Sequence, residues 1–409
     1  MTGAARPAPL FAPSGLPARS DWSLDPAVLH LNHGSFGAVP TAAQRAQTAY
    51  RTAMEANPCA WFMDLTARIG AARAQIAEFL GADPGATALV PNASAGVSVV
   101  LDSLPTRPGM RIVTTDHCYG SVLTALERLA RRCGSPVTAV HLPLDAGAEA
   151  AFAALAAELT DDVGLVVVDQ ITSPTGRELP AARLAAHARS MGIPVLVDAA
   201  HAPGQVARPL AGIEADFWVG NLHKFACAPR GTAALVASGP HAQALYPLID
   251  SWGSELPFPS RFDQQGTADA CAWLAAPTAF DTVERHYGWD AARAYITALA
   301  DYAQELVTRE LSEALGEDAS APTGTPAPGL RLVRLPAALV PDADAGYALR
   351  RELSEQLGIE TAVTFWHGQG FLRLSAHVYN TAEDYEDFAG RGVRHLARLA
   401  ALRRRGARR

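Results

Sequence analysis

The chain has 409 residues, 49% hydrophobic and 18% charged, with 33 glycines and 29 prolines, which excludes a disordered or collagen-like protein and allows roughly two or three domains. A formal net charge of -7 argues against a nucleic-acid surface, and no apolar run reaches the roughly 18 residues that a membrane span needs. Five scattered cysteines (Cys59, Cys118, Cys133, Cys227, Cys271) form no C-x-x-C pair and no metal spacing, so they read as reduced thiols of a cytoplasmic protein that holds no metal.

Residues 1–20 are rich in Ala and Pro and lack the basic and apolar regions of a secretion signal, so they read as a flexible arm. From Val39 to about Leu80 two helices are predicted, broken at Asn57-Pro58 because proline disfavours helix in the residue before it. Beyond Thr87, short β-rich runs (88–90, 110–114, 136–141, 164–169, 193–198, 216–219, 232–236) alternate with Ala- and Leu-rich helical stretches. Near-continuous apolar runs such as Leu165 to Val168 indicate strands covered on both faces, as in a mostly parallel sheet of an α/β fold. Long helices follow near Trp273, then a Pro/Gly-rich linker (321–329), a strand (331–335), a helix (347–357), two strands (360–365, 371–375) and a last helix. The resulting division is an arm (1–20), a large α/β domain with an N-terminal substrate-lining segment (21–275), and a helical connection with a small α+β domain (276–409). The arginines at the C-terminus (Arg394, Arg398, Arg403, Arg404, Arg405, Arg408, Arg409) read as the solvated end of that last helix.

Function in a parallel α/β sheet sits at the C-terminal strand ends. The run V-L-V-D-A-A-H-A-P-G puts Asp198 at such an end, where it either faces a ligand crevice or caps a turn. About 25 residues on, a second strand leads into G-N-L-H-K-F, with Lys224 among apolar and neutral neighbours. A lysine so placed serves as an amine nucleophile towards a carbonyl, or is a plain loop lysine; this chain has very few lysines. The turn N-A-S-A-G (92–96) between a strand and a helix suits a phosphate, with the backbone N–H groups of Ala93, Ser94 and Ala95 and the Ser94 hydroxyl as donors. No G-x-G-x-x-G, G-x-S-x-G or H-E-x-x-H occurs, which removes the simplest nicotinamide, hydrolase and zinc-protease readings.

The ordered motifs resemble the fold-type I pyridoxal-phosphate enzymes of aminotransferase class V. L-N-H-G-S-F-G-A-V-P (31–40), N-P-C-A-W-F (57–62), T-D-H-C-Y-G (115–120), D-Q-I-T-S-P-T-G (169–176) and N-L-H-K (221–224) are similar to its isopenicillin N epimerase-like sub-family. The resemblance implies a large domain that holds pyridoxal 5'-phosphate, a small C-terminal domain, and a homodimer with shared active sites acting on a small amino-acid-type substrate. By the same resemblance, Lys224 is the lysine that bonds the cofactor, Asp198 the carboxylate at its pyridine nitrogen, and His201 the contact to its phenolic oxygen. His117 takes the place of the ring-stacking residue, with Tyr119 as its competitor. His223 and Asn221 are further phosphate contacts. Ser173 faces cofactor and substrate, Gly266-Thr267 reaches the phosphate of the neighbouring subunit, and Arg373 in F-L-R-L-S clamps the substrate carboxylate unless it is a surface strand residue paired with an acid. Asn32, His33 and Trp61 line the substrate pocket, with a core role open for Trp61.

The implied chemistry is formation of a carbanion at the substrate Cα. Epimerisation, C–S lysis by β-elimination and decarboxylation-linked deamination all stay open as its outcome, in what reads as specialised metabolism. A persulfide-forming desulfurase is disfavoured, since such enzymes carry a cysteine late in the chain and none follows Cys271. A catalytically silent regulator that kept the fold is the rival from outside enzymology.

Overall fold

The structure is a computed structural model that describes residues 4–406. The chain divides into two compact units: a smaller one built from the chain up to Gly37, Pro174–Arg177 and Val283 onward, and a larger one built from Ala38–Ser173 and Glu178–Thr282.

In chain order the elements are β1 (Leu29–His30), α1 (His33–Phe36), α2 (Thr41–Ala56), α3 (Pro58–Leu80), β2 (Thr87–Val90), α4 (Ala93–Ser103), β3 (Arg111–Thr115), α5 (Gly120–Cys133) and β4 (Val137–Val140). There follow α6 (Ala148–Ala156), β5 (Val163–Asp169), α7 (Ala181–Ser190), β6 (Val195–Asp198), β7 (Phe217–Asn221), β8 (Ala233–Ala237), α8 (Cys271–Tyr287) and α9 (Trp289–Leu315). The chain closes with β9 (Leu330–Leu335), α10 (Ala343–Leu357), β10 (Ile359–Glu360), β11 (Ala362–Trp366), β12 (Gln369–Ser375), α11 (Ala382–Asp387) and α12 (Val393–Gly406).

The larger unit is built on a seven-stranded sheet of order β2-β8-β7-β6-β5-β3-β4. Strands β3 to β7 run parallel, and β8 pairs antiparallel with both β7 and β2. The apolar run of β5 is buried along nearly its whole length because helices cover both faces of the sheet. Helix α5 shows how the layers join: Val122, Leu126, Leu129 and Cys133 recur at helical spacing, face the core, and the helix stops at Gly134 in a left-handed conformation. Residues of α4, α5 and the sheet, among them Val97, Leu126, Leu165 and Val219, share one core. The break at Asn57 occurs as its sequence implies: Pro58 opens α3, and the Asn57 side chain accepts the Ala60 N–H at 3.1 Å.

The smaller unit holds the antiparallel sheet β11-β12-β9 and the parallel pair β1-β10. Two sequence readings need correction here. Residues 4–37 are not a flexible arm and the start of the large domain; they are built into the smaller unit. Leu29 and His30 pair with Ile359 and Glu360, and Arg6 forms ion pairs with Glu383 and Glu386. Asp21 accepts the Tyr287 hydroxyl at 2.5 Å and meets His286 Nδ1 at 2.7 Å, while buried Trp22 packs against Tyr287, His377 and Tyr379. An aromatic side chain of that size and backbone hydrogen bonds such as Leu29 N–H to the Gly358 carbonyl and Leu31 N–H to the Glu360 carbonyl, both 2.8 Å, hold the segment down. The Pro/Gly-rich stretch 321–329 is likewise no free linker, since Pro326 bridges Arg177 and Ala327 N–H donates to the Gly176 carbonyl at 2.9 Å. The basic end of α12 is a helix terminus, with Arg403 donating to the Leu339 carbonyl and Arg404 paired with Glu317; Arg408 and Arg409 lie outside the described residues.

Candidate active site

The parallel strands of the larger unit all deliver their C-terminal ends to one edge of the sheet, and the chemistry-bearing side chains sit there. Asp198 ends β6 and is 3% exposed; its carboxylate accepts the Ala200 N–H at 2.9 Å. Burial pushes this carboxyl above the ordinary carboxylate range, while the Ala200 hydrogen bond and the charge of Lys224 pull the other way.

Lys224 lies in the turn after β7 and is the only lysine in the chain. It is buried, its Nζ 2.9 Å from His201 Nε2, and the Cys227 N–H closes the turn on the Lys224 carbonyl at 2.9 Å. The turn can lie that close to His201 because Gly204 has no side chain. Its φ is +88°, and a Cβ there would stand 2.4 Å from the Phe225 carbonyl group. Gly204 is thus a site-forming residue that sequence reasoning passed over, although it stands in the quoted A-H-A-P-G run.

At the start of α4, Asn92 caps the helix by accepting the Ala95 N–H at 2.9 Å, and Asn221 at the end of β7 accepts the Ala93 N–H at 2.8 Å. Two of the expected phosphate donors are therefore engaged by asparagine side chains, and Asn221 acts here as the strut that ties β7 to α4. Gly96 permits the contact, since a Cβ on it would stand 2.7 Å from Val219. Ser94 is exposed at this helix terminus, its hydroxyl 3.3 Å from that of Ser121.

His223 is part-buried and its Nδ1–H donates to the Thr232 carbonyl at 3.0 Å. Burial lowers its pKa to about 4, with the charges of Lys224 and Arg230 adding to the effect. A neutral imidazole with Nδ1 engaged in this way presents a lone pair at Nε2, so holding an anion there requires a second proton.

The expected role of His117 needs revision. Its ring is completely buried and its Nε2–H donates to the Leu142 carbonyl at 2.7 Å, which makes it a brace for the turn after β3. Tyr119, two residues on and at the N-terminus of α5, is 43% exposed, and its ring centroid lies 6.0 Å from Lys224 Nζ. The aromatic face brought up to the lysine is that of Tyr119. Trp61 is 4% exposed on α3, with Tyr50 against it and the Arg68 guanidinium 4.7 Å above its ring, the surroundings of a core residue. Ser173 is half-buried beyond β5, and Thr267 lies exposed on a loop.

The smaller unit carries the other set. Arg373, at the middle of β12, is 3% exposed, which rules out a plain surface residue. Its Nη2 donates to the Ser35 hydroxyl at 3.2 Å, and Ser35 in turn donates to Asn32 Oδ1 at 2.7 Å. Asn32 is anchored through Nδ2 to the Thr361 carbonyl at 3.3 Å. Ser35 was missed by sequence reasoning although it lies in the quoted L-N-H-G-S-F run. His33 is buried, stacked on His377 at 3.9 Å between centroids with Nδ1 3.1 Å from the Tyr379 hydroxyl, so its ring belongs to an aromatic core.

A buried amine, a buried carboxylate at a strand end, an aromatic face beside the amine, and a helix N-terminus with an exposed hydroxyl are the groups that an aldehyde-bearing pyridine phosphate requires. The chain belongs to the class V aminotransferase family, which matches residues 38–388. It is a pyridoxal-phosphate-dependent enzyme of fold-type I architecture that works through a carbanion at the substrate Cα. It is 34% identical over 391 residues to isopenicillin N epimerase of Streptomyces clavuligerus, with 91% of this chain and 96% of that protein covered. It is 26% identical over 396 residues to an L-cysteine desulfhydrase of Arabidopsis thaliana, covering 88% and 86%. In fold it is similar to the cystine C–S lyase C-DES solved with its product cysteine persulfide, with a TM-score of 0.72, 22% identity and coverage of 91% and 97%. Among the described residues, no helix is long and apolar enough to cross a membrane.

Proposed function

We propose that the chain is a C–S lyase that acts by β-elimination on cysteine or an S-substituted cysteine. The observation that carries this reading is the base supply: the only lysine in the chain is the buried Lys224, 2.9 Å from His201. β-Elimination asks for one amine base, which removes the Cα proton and returns it to the departing sulfur, whereas epimerisation asks for a proton donor on each face of Cα. The desulfhydrase relative supports the same outcome.

In this reading the chemistry supplied by the bound cofactor is an electron sink for the Cα carbanion. Lys224 bonds the cofactor and afterwards moves the Cα proton. Asp198 holds a proton at the pyridine nitrogen, His201 orients the phenolic oxygen, and Tyr119 stacks on the ring. Ser94 and His223 serve the phosphate at the N-terminus of α4, which Asn221 holds in place. Arg373, steadied by Ser35 and Asn32, takes the substrate carboxylate through a planar fork suited to it. The C–S bond breaks as the Cα–H bond electrons form the new carbon–carbon double bond. Sulfur leaves as hydrogen sulfide from cysteine and as the corresponding thiol or persulfide from an S-substituted cysteine, and hydrolysis of the remainder gives pyruvate and ammonia.

A homodimer belongs to the proposal. Gly266 and Thr267 are exposed, and the turn at Gly253, packed close against Gln264, carries Trp252 at 96% exposure beside exposed Leu248 and Ile249. An apolar surface of this kind is suited to a second copy. Sedimentation equilibrium should show a dimer, and full activity in a monomer would refute the shared site.

The identity to isopenicillin N epimerase favours a second reading, epimerisation of an amino-acid-type substrate. Incubating the holoenzyme with L-cysteine, L-cystine and S-alkyl cysteines in deuterated buffer separates the two. Equal yields of the released sulfur compound (hydrogen sulfide, persulfide or thiol, in the order of those substrates), pyruvate and ammonia support the lyase. Recovered substrate that is deuterated and inverted at Cα, with no sulfide, persulfide or thiol released, overturns it.

A further inference from the structure

The strand beside Asp198 ends in a second acid that the roles above do not use. β5 and β6 run parallel with Asp169 in register with Asp198, each the last residue of its strand, and the Gln170 N–H donates to the Asp198 carbonyl at 2.7 Å. In-register partners of a parallel pair project to the same face. Both residues are 3% exposed. They are not equivalent: Asp198 has the Ala200 amide, whereas no amide or side chain of another residue donates to Asp169 among the described residues.

The charged and titratable groups around Asp169 give it little compensation. From β6 comes the Asp198 carboxylate, from the turn after β7 Lys224, and from the turn after β3 the buried thiol of Cys118. On β3 itself Arg111 stands at the opposite end of the strand, bound to Glu158 and Asp162. On α7, Arg183 and Arg189 are exposed and paired with Glu149 and Glu214, and His187 packs on Phe152. One ammonium serves two acids. Two neighbouring carboxylates in a dry site cannot both ionise, so one keeps its proton.

We propose that Asp169 is a positioning residue for Asp198, a neutral carboxylic acid that leaves the pair with one negative charge where the pyridine nitrogen is received. The inference rests on the assignment of Asp198 to that nitrogen. Burial together with the Asp198 charge places the Asp169 carboxyl well above the usual carboxylate range, in agreement with the geometry. The charge that remains, on Asp198, is the one held by the Ala200 amide.

Infrared difference spectroscopy of the full-length apoprotein at neutral pH, wild type against Asp169→Asn, tests the protonation. The wild type should show the carbonyl stretch of a buried protonated carboxyl group, and Asp169→Asn should lack it. Absence of that band from the wild type, or its persistence in Asp169→Asn, overturns the proposal. Positioning is read from cofactor release. Asp169→Leu should release the cofactor about tenfold faster, and Asp169→Asn, which keeps a neutral hydrogen-bonding group, should restore most of the difference. Equal release from both variants would leave Asp169 a space-filler and overturn the positioning role. If Asp198→Asn leaves the absorbance of the bound cofactor unchanged, the assignment of Asp198 fails, while the infrared band still reports on Asp169 separately.

Discussion

The edge of the parallel sheet and the middle of β12 handle charge in opposite ways. At the sheet edge, Asp169, Asp198 and Lys224 are buried together, so each proton position depends on the others. On β12, Arg373 is as deeply buried but is steadied by neutral groups, the Ser35 hydroxyl and through it the Asn32 amide. A guanidinium keeps its charge whatever surrounds it, whereas the acids and the amine are groups whose protonation the surroundings set. In the proposed reading, the first region moves and holds protons and the second recognises a charge.

The largest effect should come from breaking the sheet-edge cluster. Lys224→Ala removes the only amine base, and Cα proton exchange into deuterated buffer should fall by at least about 10⁴-fold. Borohydride reduction of the wild-type holoenzyme should place the pyridoxyl group on the peptide containing Lys224, and labelling of any other peptide would contradict the assignment. Asp198→Ala should lower the same exchange by about 10³-fold, because the ring no longer keeps its proton.

The recognition side should respond less, and in a different parameter. Arg373→Ala should lose about a hundredfold in kcat/KM, and Arg373→Lys should recover only part of it, since a point charge does not reproduce the fork. Ser35→Ala should raise KM by about fivefold with kcat nearly unchanged, a loss on the scale of one hydrogen bond to a charged group. A drop in kcat at either position would erase the distinction drawn between the two regions.

The smallest effect sharpens it through pH. His223 is neutral in the unliganded protein, its pKa lowered to about 4, and an anion at its Nε2 must raise that pKa. Anion binding then takes up a proton over the window above about 4, so affinity falls as pH rises. Titration calorimetry of inorganic phosphate against the apoprotein should show this slope, and His223→Gln should reduce it by up to about one proton per phosphate bound. Identical slopes in the two proteins would remove His223 from the phosphate site.

Much of this protein is legible in one dimension, for a physical reason. Strands covered on both faces must be apolar throughout, so 164–169 and 193–198 stand out, and β5 and β6 lie where they indicate. Amphipathic helices repeat at their own period, and Asn57-Pro58 breaks a helix wherever it occurs. The lysine and the strand-end acid also follow from local order, because the turn after a parallel strand is where such a fold exposes side chains. Pairings between distant segments were decided only by the tertiary structure. Nothing local says that residues 4–37 join the smaller unit, since the partners of Leu29 and Trp22 stand more than two hundred residues away at Ile359, Tyr287 and Tyr379. That the Tyr119 ring lies 6.0 Å from Lys224 Nζ while the His117 ring bonds the Leu142 carbonyl is a matter of backbone direction that residue type does not encode. Asp169 was visible as V-V-V-D beside V-L-V-D, but its meaning depends on β5 and β6 being neighbours in register, and register is settled by packing.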